Sequence, residues 1–338
     1  MRVTKAQERL GALIDGCGKA VVFAHENPDG DAIGSAVALC SYLSMLGKEA
    51  CAVMCGHLPA HFDFMIPQDK VFYYCDDPAA CEALIDAADL LVFLDMNGKD
   101  RSGDLQQAIG RSKAKCILID HHLNPRTDDF DVVISDAAVS SACELLYQVL
   151  LEQPAVGGEV SRLPLDCATA LMTGILTDTN NFANSLFPST YLAVSALQGR
   201  GVDRNEIYNR VFCSYSEQRM RLMGHLLRDN MRCLGCGAAY FTLSKADKER
   251  FSFVKGDSEG FVNLPLSIEG VRLTAFFTED DGFIKVSLRS KGNVDVNEFS
   301  HKYCNGGGHK NASGGRLQMP LADVPAYFEE KVTEFLNK

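Results

Sequence analysis

The stretch FAHENPDGDAIGS, residues 23–35, sets an apolar run against a dense group of ionisable side chains. Apolar residues lead into His25, then Asp29 and Asp31 follow with one glycine between them, and a helical pattern begins at once. Neighbouring carboxylates repel unless a cation or a proton offsets them. A mixed imidazole and carboxylate set suits manganese, zinc or iron better than magnesium or calcium, which favour all-oxygen shells. A plainer reading is an acidic helix start, with Asp31 capping the helix and Gly30 easing the tight turn between the carboxylates.

Working outward, the first half of the chain repeats this plan. AVVFAH (20–25), ACAVMC (50–55), LLVFLDM (90–96) and KCILIDHH (115–122) are short apolar runs. Helical spacing marks DAIGSAVALCSYLSMLGK (31–48), ACELLYQVLLEQ (142–153) and LDCATALMTGILTDT (165–179). Continuous apolar strands separated by helices predict an α/β fold with a parallel sheet flanked by helices. Ligands of such sheets bind beyond the carboxyl ends of the strands. Three of the runs end there in ionisable residues: His25, Asp95, and Asp120-His121-His122. Each alone also fits a turn former. Two adjacent histidines on a regular strand point to opposite faces, so both reach one site only if a turn begins there. GILTDTNNF (174–182) adds Asp178 at the end of a helical run.

Residues 200–230 are long, charged and helical in pattern, which predicts a connector able to act as a hinge. Beyond it AAYFTLS (238–244), VRLTAFFTE (271–279) and FIKVSLRS (283–290) alternate, as in a sheet with one buried face. A glycine cluster, NGGGHKNASGG (305–315), precedes a terminal helix. The expected organisation is a catalytic domain over 1–199, a helical linker over 200–230, and a smaller α/β domain with a mixed sheet over 231–338.

Composition narrows the function. The chain has 338 residues, 46% hydrophobic and 23% charged, as expected for a globular protein rather than a disordered one. No run reaches the ~18 apolar residues of a membrane span, and the N-terminal stretch reads as an amphipathic helix without a signal peptide's apolar core. A cytoplasmic location is expected, with no membrane partner. Thirteen scattered cysteines, several inside apolar runs, argue for buried thiols over a disulfide framework. CLGC (233–236) has redox or zinc spacing but lacks a second ligand pair. A formal charge of −11 argues against wrapping long duplex nucleic acid, though not against a small anionic substrate held through metal ions.

HENPDGDAIGS, LDMN, IDHH and GILTDTNNF, taken in order, resemble the four signature motifs of the DHH phosphoesterases. VSLRSKGNVDVNEFS followed by GGGHKNASGG resembles the DHH-associated C-terminal domain. The likeness spans nearly the whole chain and is strongest to the two-domain nanoRNase/3′-phosphoadenosine-5′-phosphate phosphatase branch. It implies two Mn2+ ions, one held by His25, Asp29 and Asp95, the other by Asp31, Asp95, His121 and Asp178, with Asp95 bridging. It implies that Asp120 orients a histidine, and that His122 meets the substrate phosphate or protonates the leaving oxygen. Attack by an activated water, with no covalent phospho-enzyme, follows from such a site.

The resemblance also places substrate contacts at Arg289, Ser290, Gly306, Gly307, Gly308 and His309, beside Lys310, and at Arg101. Without it, GGGHK reads as a flexible turn; with it, glycine N–H groups can approach a phosphate and arginine can bind one bidentately. The implied activity is cleavage of short oligoribonucleotides to mononucleotides and dephosphorylation of 3′-phosphoadenosine-5′-phosphate. Cyclic or linear dinucleotide phosphodiesterases and polyphosphate hydrolases are the neighbouring activities. A non-enzymatic nucleotide-binding protein would lack ligands, and all six are present. Asn305 stands where the family commonly has glycine, and Ala142 where it often has threonine. His57 and His61, with Pro59 between them, and His225 and His301 read as surface or structural histidines. A homodimer, the commonest symmetric assembly, is the expected oligomer.

Overall fold

The structure, a computed structural model, describes residues 5–254 and 256–337. The chain divides into two compact units between Ser214 and Tyr215.

In the first unit the apolar runs are strands: β1 (Lys19–Phe23), β2 (Glu49–Met54), β3 (Val71–Tyr73), β4 (Leu90–Leu94), β5 (Lys115–Asp120) and β6 (Val132–Ser135). They form one wholly parallel sheet in the order β3-β2-β1-β4-β5-β6. The helices are α1 (Lys5–Gly16), α2 (Gly30–Met45), α3 (Pro78–Ala87), α4 (Gln106–Arg111), α5 (Ala142–Leu151), α6 (Leu165–Asp178), α7 (Pro188–Gly199) and α8 (Arg204–Phe212). Alternate strand residues bury on opposite faces. Ala20, Val22, Leu90, Val92 and Leu94 join the core under α2, α5 and α6. Val21, Phe23, Leu91 and Phe93 join a second core that includes Ile85 of α3 and Ile109 of α4. That double burial explains why these strands read as unbroken apolar runs.

The strand order reverses direction between β1 and β4, so the crevice of this sheet lies beyond their carboxyl ends. The loops carrying His25 and Asp95 leave from those two neighbouring strands.

Residues 200–230, read from sequence as one connector, are shared between the units. Ile207 and Val211 of α8 belong to the first core, whereas Leu222 and Leu226, on and just after α9 (Glu217–His225), belong to a core of the second unit. That unit holds β7 (Arg232–Leu234), β8 (Ala238–Leu243), α10 (Lys245–Arg250), β9 (Leu273–Glu279), β10 (Ile284–Ser290), α11 (Val296–Tyr303), β11 (Gly307–His309), β12 (Ala312–Leu317) and α12 (Val324–Leu336). Its mixed sheet runs β11-β12-β10-β9-β8-β7, with only β8 and β9 parallel. Alternation predicted one buried face. Instead, Tyr240 and Phe277 pack toward Phe299 of α11 and Phe328 of α12, while Phe241 and Phe276 pack with Leu222 and Phe261 on the other side. Among the described residues no helix is long and apolar enough to cross a membrane, and every cysteine is a free thiol.

Candidate metal centre

Three chain reversals bring the charged residues together. After β1 the chain passes His25 and enters α2, whose N-cap is Asp29: its Oδ1 accepts the N–H groups of Asp31 (3.0 Å) and Ala32 (3.2 Å). The cap is therefore Asp29, and Asp31 sits inside the first turn with its side chain directed inward, 1% exposed. Gly30 serves packing more than the turn: a methyl group there would overlap the Thr177 side chain of α6. Asp178 is the last residue of the same α6.

Asp95 directly follows β4 in a left-handed conformation with φ 55°, which costs a non-glycine residue about 1–2 kcal/mol. Its N–H donates to Ile119 O of β5 (3.2 Å), and its carboxylate is buried at 3% exposure. A strained, buried carboxylate at a strand end is a marker of function. β5 stops at Asp120, so His121 and His122 lie in the turn beyond it, their ring centroids 4.7 Å apart. The turn lets both rings face Asp95.

The resulting distances are short. Asp95 Oδ2 lies 3.6 Å from His25 Nε2. Asp95 Oδ1 lies 3.3 Å from His121 Nε2 and 3.7 Å from His122 Nδ1. His121 Nε2 is also 3.8 Å from Asp31 Oδ2 and 3.7 Å from Asp178 Oδ2. Three sets of donor atoms here each fall within 4.8 Å of one another: His25, Asp29 and Asp95; Asp31, His121 and Asp178; and Asp95, His121 and His122. Donors sharing one ion at bond lengths near ~2.1 Å stand about 3–4 Å apart, so these spacings suit a metal.

The electrostatics point the same way. Among the described residues, no lysine or arginine pairs with Asp29, Asp31, Asp95 or Asp178; imidazoles are their only cationic partners. Asp95 Oδ1 is buried with no hydrogen bond of acceptable geometry. Burial pushes Asp31 well above the usual carboxylate range, with Asp95 and Asp178 adding to the push. Asp178 is pushed up to about 7, chiefly by burial. Burial works against the charge on Asp95 too, but the imidazoles of His121 and His25 outweigh it and hold this carboxyl low. His121 rises to about 9, because Asp95, Asp31 and Asp178 overcome the cost of burying its charge. A site that must hold protons to relieve its own repulsion fits divalent cations.

Asp120 is fully buried and binds His122 Nδ1 through Oδ1 at 2.7 Å, which fixes the ring and raises its pKa. Arg101 lies beside this group by backbone: its carbonyl accepts the N–H of Glu26 (2.9 Å).

The remaining predicted contacts lie in the second unit. Arg289 is half-buried on β10 and donates to the Leu288 carbonyl (2.9 Å); among the described residues it forms no ion pair. Burial lowers its pKa. The Ser290 hydroxyl is spent internally, donating to Val294 O (2.7 Å) and accepting from Asn311 Nδ2 (2.9 Å). The glycine cluster is not a free loop but a hairpin of β11 and β12. Within it the Gly306 N–H donates to Ser300 O (3.4 Å) and the Gly308 N–H to Asn297 Oδ1 (2.7 Å), while a methyl group on Gly306 would overlap the Gly314 backbone. His309 and Lys310 are exposed at its tip.

His57 makes an exposed contact with Asp76 at 3.0 Å beside Cys75. His225 bridges Asp229 (2.8 Å) and Asp247 (3.0 Å). Sequence reasoning missed the backbone donors of Ala142 and Cys143, which bind both oxygens of Asp31 at 2.6 and 2.8 Å. Main-chain N–H groups leave no side-chain signature to read.

Residues 19–175 match the DHH family N-terminal domain, and residues 239–338 match the DHHA1 domain. The bifunctional oligoribonuclease and PAP phosphatase NrnA of Thermus thermophilus is 32% identical over 306 residues, covering 89% of this chain and 85% of its own. The protein of the same name from Bacillus subtilis is 29% identical over 302 residues, 88% of either chain. The crystal structure of an exopolyphosphatase-related protein from Bacteroides fragilis aligns with a TM-score of 0.93 at 33% identity, covering 98% of both chains.

Proposed function

The chain belongs to the DHH family of phosphoesterases, and from that premise we propose that it hydrolyses short oligoribonucleotides to mononucleotides and dephosphorylates 3′-phosphoadenosine-5′-phosphate. The observation that carries this reading is the convergence of the imidazoles of His25 and His121 and the carboxylates of Asp29, Asp31 and Asp178 around the buried, strained Asp95.

The residues fit two Mn2+ ions. His25, Asp29 and Asp95 would hold one; Asp31, His121 and Asp178, with Asp95 between the sets, would hold the other. Such ions supply an activated water and neutralise the charge of the phosphate under attack. The protein's own groups do the rest. The bond from Asp120 fixes the His122 tautomer and favours its protonated form, so His122 can bind a phosphate oxygen or give a proton to the leaving oxygen. Arg101, anchored next to the His25 loop, contacts a phosphate. The C-terminal unit supplies its own phosphate contacts, Arg289 with Gly306, Gly307, Gly308 and His309, and Ser290 braces the turn. No side-chain nucleophile is required.

The test is a panel of di- to pentaribonucleotides, 3′-phosphoadenosine-5′-phosphate, cyclic dinucleotides and polyphosphate, each with protein and Mn2+, ranked by kcat/KM. Short linear ribonucleotides and the bisphosphorylated nucleotide should lead. Preference for polyphosphate or a cyclic dinucleotide would replace this substrate assignment, and inactivity on all four would remove it.

A further inference from the structure

Glu144, in the first turn of α5, is a carboxylate with 0% exposure and, among the described residues, no ion-pair partner. A buried charge of this kind is costly unless hydrogen bonds satisfy it. Its Oε2 accepts three: from Ser140 N–H (3.0 Å), from Ser140 Oγ (2.6 Å) and from Thr190 Oγ1 on α7 (2.6 Å). Gln148 Nε2 donates to Oε1 at 3.3 Å. Every partner is a donor, so the position uses a group that only accepts. The Glu144 N–H in turn binds the N-cap hydroxyl of Ser141 (3.0 Å).

The two N–H groups between those anchors belong to Ala142 and Cys143, and both point at the Asp31 carboxylate. Asp31 is 111 residues before Ala142 in the chain, and the two backbone donors occupy one position on each of its carboxylate oxygens. Its remaining lone pairs are the ones a cation can use. We propose that Glu144 is a positioning residue for the metal centre. By clamping the 140–141 turn to Thr190 of α7, it fixes the start of α5, and the start of α5 aims Asp31. Outer groups that orient a ligand typically change metal affinity 10–100-fold when removed. This inference rests on the reading of Asp31 as an ion ligand.

The test titrates metal-free protein with Mn2+, following the free ion by electron paramagnetic resonance, without substrate. Glu144→Gln keeps the side-chain volume but replaces an acceptor with a donor, and should weaken the Asp31-side ion by about 10–100-fold. Raising Mn2+ should restore kcat. Thr190→Val keeps the packing and removes one donor to Glu144, so affinity should fall in the same direction. Thr190→Ser loses a methyl group but keeps the hydroxyl, and should bind Mn2+ as the parent does. A packing role for Thr190 predicts the reverse order for Val and Ser. If Thr190→Val binds Mn2+ within twofold of the parent, the positioning role is overturned, whether or not Glu144→Gln folds. If the parent protein itself takes up no Mn2+, the metal reading of the whole site falls instead.

Discussion

Asp95 Oδ1 and His121 Nε2 stand 3.3 Å apart, one holding its proton affinity low and the other high. Without a metal, these opposite shifts favour an imidazolium against a carboxylate. A metal ligand must offer a lone pair, so ion binding has to expel the His121 proton.

The sign follows. His121, raised to about 9, stabilises the metal-free fold below the ordinary histidine range and loses that contribution as pH climbs through 9. Asp178, raised to about 7, does the opposite of a paired carboxylate: it penalises the metal-free fold as pH rises from the ordinary carboxylate range through 7. Mn2+ uptake near pH 7.5 should release about one to two protons, and affinity should climb between pH 6 and 9. Calorimetry in buffers of different ionisation enthalpy measures this directly. A binding heat independent of buffer would contradict it.

Asp95→Asn separates charge from backbone. Asparagine tolerates the left-handed conformation at φ 55°, so the turn should survive while the shared carboxylate is lost. Turnover should fall by about 10²–10³-fold or more, the usual loss when one electrostatic group of a reaction centre is removed. Mn2+ capacity should fall with it. Unchanged kcat with a raised KM would show that Asp95 contributes only substrate binding.

How far the chain announces this arrangement depends on where the signal resides. β1, β4 and β5 are buried on both faces and lead within two residues into His25, Asp95 and His121, so both strands and site are visible in one dimension. β3, VFY at the sheet edge, and β6 are too short to carry a pattern. β12 reads ASGGRL, a composition that disfavours strands. It forms one because Gly306 and Gly315 let α11 and the hairpin approach at distances no side chain would permit. Asp95 and the five donors around it were legible as strand-end and helix-end residues. That Asp29 caps α2 while Asp31 turns to the N–H groups of α5 was not, since those partners lie across the fold.

The hairpin yields a stability prediction. Gly306→Ala places a methyl group on the Gly314 backbone, which cannot rotate away as a side chain could. A cost of about 1–3 kcal/mol is expected from overpacking. Hydrogen exchange in β11 and β12 should accelerate while β1, β4 and β5 keep their protection. Unaltered exchange in the hairpin would mean that the strands already have room.

Arg289 offers the sharpest separation of binding from chemistry. It is half-buried, has no carboxylate partner among the described residues, and donates Nη1 to the Leu288 carbonyl. A guanidinium left this way is desolvated and still has donors for an anion, and burial already lowers its pKa. Arg289→Ala should raise KM for phosphorylated nucleotides roughly 10–100-fold, the loss of about 1.5–3 kcal/mol from a charged hydrogen bond, with kcat nearly unchanged. Arg289→Lys should recover little, because an ammonium cannot present the planar pair of donors that a phosphate accepts. Steady-state kinetics on the bisphosphorylated nucleotide decides the matter. If kcat falls as far as kcat/KM while KM stays put, Arg289 acts on the transition state, and the assignment of the C-terminal unit to ground-state binding is wrong.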